Sequence, residues 1–168
     1  MAHLTPFQTV GPYLSIGLRH GLAALPALPP ESAIVIRGRL IDGAGRGIPD
    51  GLVEWWHPAL PVVQRSLTTE DGSFAVETFK PPPIAGPGGR AQAPHLAVRV
   101  LGRGILTHYI TRLYFSDDPA TASDPILSLV PEHRRQTLIA QRETASQYRF
   151  DVILQGDNET NETVFFDL

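Results

Sequence analysis

A chain of 168 residues in which 42% of side chains are apolar can bury one full core and is too short for two comfortable domains. Its formal net charge of −3, with Lys and Arg scattered along the chain, leaves no electrostatic footprint for DNA or RNA. The lack of cysteine excludes disulfides and thiolate metal sites, and no apolar stretch approaches the roughly 20 residues that a membrane-crossing helix needs.

Residues 1–30 carry Pro6, Pro12, Pro26, Pro29 and Pro30 without sustained periodicity, and an extended N-terminal arm is expected there. Met1 to Val10 lacks the basic stretch and apolar run of a secretory signal, so a cytoplasmic location is expected. The first predicted strand runs from Ile34 to Ile41 and is closed by Asp42-Gly43-Ala44-Gly45, residues that tolerate positive φ. The second is Leu52 to Trp56, and its spacing from the first predicts a hairpin between them. Two adjacent indoles on a strand point to opposite faces, so one of Trp55 and Trp56 fills the core and the other meets a loop or another subunit. Pro58 to Thr68 reads as a short loop.

After the turn Thr69-Glu70-Asp71-Gly72, Ser73 to Phe79 is a strand with Phe74 and Val76 on one face, and it stops at Pro81-Pro82-Pro83. A Pro/Gly loop leads to a strand from His95 to Leu101, a turn at Gly102-Arg103-Gly104, and a longer strand from Ile105 to Phe115. Val130 to Ala140 is the single predicted short helix, with Pro131 and Glu132 suited to its first turn. Tyr148, Phe150, Val152 and Leu154 form the apolar face of a strand, and Thr163 to Phe166 follow as the last one. Short strands with frequent turns, in a chain holding sixteen prolines and fifteen glycines, predict an all-β fold. It would be one β-sandwich domain of mostly antiparallel strands over 31–168.

Several of these segments, in this order, carry a family likeness. Thr9-Val10-Gly11-Pro12-Tyr13, the stretch from Asp42-Gly43 to Trp56, Thr69-Glu70-Asp71-Gly72-Ser73-Phe74, Lys80-Pro81-Pro82-Pro83, Ala93-Pro94-His95-Leu96 and Thr111-Arg112-Leu113-Tyr114-Phe115 resemble the intradiol ring-cleaving dioxygenases. Tyr148-Arg149-Phe150-Asp151 and Glu162 to Asp167 extend the likeness over almost the whole chain. Catalytic members hold Fe(III) with two tyrosines and two histidines, the histidines written His-x-His. That spacing aims two imidazoles at one ion from one strand face, and phenolate oxygen suits a ferric centre.

The resemblance implies that this chain lacks such a site. His95-Leu96-Ala97 puts a methyl group where the second histidine belongs, Ile84 takes the place of the tyrosine after Lys-Pro-x-Pro, and Pro58 to Thr68 contains no tyrosine. No metal ligand and no catalytic residue is therefore expected in this chain, and His95 is read as structural. His57 and His108 build no i, i+2 pair of donors, and His3, His20 and His133 read as surface residues. The likeness implies an accessory subunit whose homologous beta chain holds the Fe(III), in a higher-order αβ hetero-oligomer that cleaves a catechol acid with O2.

Within that scheme Thr9, Gly11, Pro12 and Tyr13 are expected to line the substrate pocket above the partner's iron. Pro12 fixes a dihedral, Gly11 permits close approach to a ring, and Tyr13 offers an aromatic plate with a hydroxyl. A proline-rich arm that merely docks on the partner is the alternative. Arg103 is the fifth pocket candidate, since a guanidinium between two glycines at a hairpin tip is free to pair with a carboxylate. Its alternative is a solvated turn arginine. For the whole chain, a non-catalytic β-sandwich binding module and a subunit of a dioxygenase for a related catechol remain rival readings.

Overall fold

The computed structural model describes residues 11, 17, 32–156 and 161–167. The predicted arm, with Thr9, Pro12 and Tyr13, lies outside the described residues; only Gly11 and Gly17 of it are described.

The strands are β1 (Ala33–Ile41), β2 (Leu52–Trp56), β3 (Val63–Leu67), β4 (Ser73–Phe79), β5 (Ile84–Ala85), β6 (Ala91–Gln92), β7 (His95–Leu101), β8 (Tyr109–Phe115), β9 (Ile139–Arg142), β10 (Gln147–Arg149) and β11 (Val152–Ile153). Nine of them form one continuous sheet, in the order β11-β1-β10-β9-β8-β7-β2-β3 with β4 on β1. The sheet folds over at β9, which pairs antiparallel with β10 and parallel with β8. One layer is thus β4, β1 and β10, the other β3, β2, β7 and β8, and most pairings are antiparallel.

The core follows from period-two alternation on both layers. Ile34, Ile36, Leu40, Phe74, Val76, Tyr148 and Phe150 meet Val53, Trp55, Leu96, Val98, Val100, Leu113 and Phe115 from across the sandwich. Gly38 occupies an inward position of β1 where a Cβ would stand 1.7 Å from the Phe150 carbonyl oxygen. That close approach lets the C-terminal strand step aside: Phe150 N–H donates to Arg37 O, the Arg39 amide donates to Asp151 Oδ1, and pairing with β1 resumes at Val152.

Five expectations change. The first two strands do not pair; β1 takes β4 as its antiparallel neighbour, and the chain from 42 to 51 crosses to the other layer with only an Ile41–Gly47 bridge. Pro58 to Thr68 contains β3, hidden because its inward residues are polar: Ser66 Oγ accepts from Trp55 Nε1 at 2.8 Å, and Gln64 Nε2 donates to Glu77 O at 2.6 Å. The strand expected from Ile105 begins at Tyr109. Thr163 to Phe166 is not a strand, although the Phe166 amide donates to Ile110 O. The predicted helix is a 3-10 helix over Glu132–Leu138, with shorter 3-10 turns at Pro87–Gly89, Pro119–Ser123 and Leu127–Leu129. Among the described residues no helix is long and apolar enough to cross a membrane.

Candidate functional site

Outward residues of the β3-β2-β7-β8 layer fall into cross-strand rows. Val63, Trp56, Ala97 and Arg112 make one row; Arg65, Glu54, Arg99 and Ile110 make the next; His95 stands opposite Tyr114. Two of the positions that the likeness associates with metal ligands, His95 and Ala97, therefore lie on this outer face. His95 and Ala97 share one side of β7, and half-buried Ile84 sits on β5.

A polar network fills the His95 end. The Arg112 guanidinium, opposite Ala97, donates to Gln92 Oε1 at 2.6 Å and to the Tyr114 hydroxyl at 3.3 Å, and it lies 6.0 Å from the Phe166 ring centre. The Tyr114 hydroxyl donates to Asp124 Oδ1 at 3.0 Å. Buried Asp124 also accepts the backbone N–H groups of Ala93, Ile126 and Leu127. His95 is buried beside Tyr114 and donates from Nδ1 to Ala93 O at 2.7 Å.

These groups do not suit a ferric ion. Burial pushes the Tyr114 phenol well above its ordinary range, the opposite of what a phenolate ligand requires. Burial also holds His95 below 6.5; the Ala93 carbonyl opposes this shift and the nearby Arg112 charge adds to it. A fixed guanidinium stands beside both groups, and among the described residues no three His, Cys, Asp or Glu side chains gather as a metal site. His57 is likewise committed to packing, with Nε2 2.9 Å from Thr78 Oγ1 and its ring stacked on Phe79 at 4.2 Å.

Arg103 lies on the exposed turn between β7 and β8, where Gly104 takes a φ of +86°. It borders a cleft of about 460 Å³ whose apolar wall is Ile48, Ile105, Leu106, Tyr109 and Phe165, the last two rings 5.1 Å apart. Asp42 on the rim is occupied by Arg46 at 3.1 Å. The turn thus brings a cation to a cleft with aromatic and aliphatic walls that also carries the Glu162 carboxylate. Gly11 has a φ of +66°, a conformation that favours glycine.

On the same outer layer, Trp56 is 43% exposed while Trp55 is fully buried in the core. Trp56 walls a second cleft of about 340 Å³ with Ala97, Val98, Arg99, His108 and Ile110. Next to it Glu54, 4% exposed, is held between Arg65 at 2.8 Å and Arg99 at 3.5 Å. Sequence reasoning passed over Leu106 and Tyr109, although two large apolar groups so close to a Gly-Arg-Gly turn are themselves a signal of a recognition surface.

No family model matches the chain. Curated relatives do. It is 36% identical to the protocatechuate 3,4-dioxygenase alpha chain of Burkholderia cepacia over 98% of this chain and 97% of that one. It is also 36% identical to the alpha chain of Pseudomonas putida over 97% and 96%. The Burkholderia cepacia beta chain is 28% identical over 79% of this chain and 68% of that one. Among solved structures, catechol 1,2-dioxygenase from an Acinetobacter species shares the fold at a TM-score of 0.59 and 18% identity, covering 83% of this chain and 58% of that one.

Proposed function

Because the chain belongs to the family of protocatechuate 3,4-dioxygenase alpha chains, we propose that it is the accessory subunit of an intradiol dioxygenase that acts on protocatechuate with a homologous beta-type chain. The end-to-end likeness to two alpha chains carries this reading. Its likeness to a beta chain supports descent of both partners from one fold.

The reaction opens the ring between the two hydroxyl-bearing carbons and places both atoms of O2 in the product, 3-carboxy-cis,cis-muconate, so no external reductant is consumed. Iron supplies the activation of substrate and oxygen, and in this reading the beta-type chain holds it. The work of the present chain is to shape, charge-balance and dry the pocket. Arg103 pairs with the substrate carboxylate, and the Thr9, Gly11, Pro12 and Tyr13 segment covers the ring. A cytoplasmic αβ hetero-oligomer of higher order completes the reading.

The test is co-expression of the full chain with its beta-type partner. We expect iron and protocatechuate-dependent oxygen uptake in the complex; stoichiometric iron with turnover in the pure isolated chain overturns the assignment. Loss of a charge-assisted pair costs about 1.5–3 kcal/mol. Arg103→Ala should therefore raise the KM for protocatechuate roughly tenfold or more at unchanged iron content. An unaltered KM returns Arg103 to an ordinary turn residue.

A further inference from the structure

We propose that the outer face of the β4-β1-β10 layer carries a binding site for a small, doubly charged oxyanion, a phosphate or a dicarboxylate, held between Arg37 and Arg39 with Arg149 beside them. The site stands on the other layer from the turn that carries Arg103 and does not depend on the accessory-subunit reading.

Period-two alternation sends Arg37 and Arg39 to the same outward side of β1, about 6.6 Å apart along the strand. Parallel pairing puts Arg149 of β10 directly beside Arg37, and antiparallel pairing puts Ala75 and Ser73 of β4 beside Arg37 and Arg39. Ala75 is too short to fill the space next to Arg37. The three arginines, with Thr69, Ser73 and Ala75, line a cleft of about 420 Å³. Like charges directly opposite one another on a sheet oppose its pairing. β1 is flanked by β4 and β10, so the row is held in the middle of the layer, at a cost that a bound anion removes.

The carboxylates nearby are already engaged. Asp151 accepts from Nε and Nη2 of Arg149 and from the backbone N–H of Arg39. Asp71 accepts the hydroxyls of Thr69 and Ser73 and the Ser73 amide. Arg39 takes the Asp71 carbonyl oxygen instead, at 3.0 Å from Nε and 2.7 Å from Nη2, a neutral acceptor that leaves the guanidinium without a directly bonded anion. The Arg37 side chain makes no hydrogen bond or ion pair among the described residues. Glu77, the acid of β4, stands opposite Val35 one row further along and is not part of the cleft wall. Two guanidinium groups thus share one face of β1 without a carboxylate of their own. Planar guanidinium groups bind phosphate and carboxylate oxygens through paired N–H bonds, and two of them over one cleft match two negative charges.

The experiment is isothermal titration of the full chain with inorganic phosphate, succinate and acetate at one ionic strength and about pH 8, where the first two probes are doubly charged. Phosphate or succinate should bind saturably and about tenfold or more tightly than acetate, because a single charge satisfies only one guanidinium. The tighter of the two assigns the site to a tetrahedral oxyanion or to a dicarboxylate. Loss of one charge-assisted pair weakens binding about tenfold or more. Arg37→Gln, at an exposed position outside the core, should show that loss and Arg39→Gln should show it too, while Arg90→Gln, on the exposed turn between β5 and β6, should leave the affinity unchanged. No saturable binding of either dianion, or binding that neither Arg37→Gln nor Arg39→Gln alters, overturns the proposal.

Discussion

The outer face of the β3-β2-β7-β8 layer has two ends that solve opposite problems. At the His95 end every prominent polar group finds its partner within the chain: Arg112 on Gln92 and Tyr114, Tyr114 on Asp124, Asp124 on three backbone amides. Leu127, Val130, Leu138, Val164 and Phe166 then cover that end. Away from it Trp56, Leu106 and Tyr109 stay exposed, and Arg103, unpaired among the described residues, borders an open cleft. A region finished internally has no use for an ion or a partner. A region left unfinished is where one fits, and the Trp56 cleft reaches Ala97, one of the two positions on β7 that the family likeness associates with iron.

The sharpest way to break the contrast is to unfinish the closed end. Asp124→Ala strands three backbone N–H groups and the Tyr114 hydroxyl among buried residues. Each unsatisfied group costs about 1–3 kcal/mol, and breaking a buried charged network about 3–5 kcal/mol. The expected loss is about 4 kcal/mol, read as a fall in the urea midpoint at unchanged slope. A loss under about 1 kcal/mol would mean that water replaces the carboxylate and that the end is not closed.

Arg112→Met removes the charge while keeping the apolar stem that lies over Phe166. Gln92 Oε1 loses its donor, for an expected cost of about 1–3 kcal/mol. The same variant should move the His95 titration upward, since Arg112 contributes to holding it below 6.5. With the folded value depressed, the unfolded chain takes the proton first. The stability contributed by neutral His95 is therefore complete above pH 6.5 and is lost as pH falls through the folded value. Arg112→Met should narrow that acid-sensitive window, and an NMR titration of His95 that does not move would remove Arg112 from the balance.

The sheet and its inward faces were legible because alternation is local. Ser73 to Phe79 and His95 to Leu101 match β4 and β7 at both ends. β3 was not legible, since Gln64 and Ser66 point inward and bond to residues that only the folded chain brings near. The missing hairpin has the same origin: strand spacing does not say that β1 finds β4 across a layer. For the site, the likeness that sets Ala97 and Ile84 at ligand positions is read in one dimension. The guanidinium opposite Ala97 is not, because Arg112 reaches that place through the register of β7 and β8.

The smallest effect separates stability from recognition at the open end. Trp55 and Trp56 are neighbours in sequence and opposite in burial, the first enclosed against Phe74 at 5.5 Å and the second 43% exposed. Removing a buried large aromatic costs about 3–5 kcal/mol through lost transfer energy and the cavity left behind. Trp56 has no enclosing cavity to lose. Trp56→Thr keeps a residue that favours strands and should change the stability of the isolated chain by less than about 1 kcal/mol in a denaturation curve. If it instead matches a core truncation, the indole belongs to the chain's own packing, and the two ends of this face are closed alike.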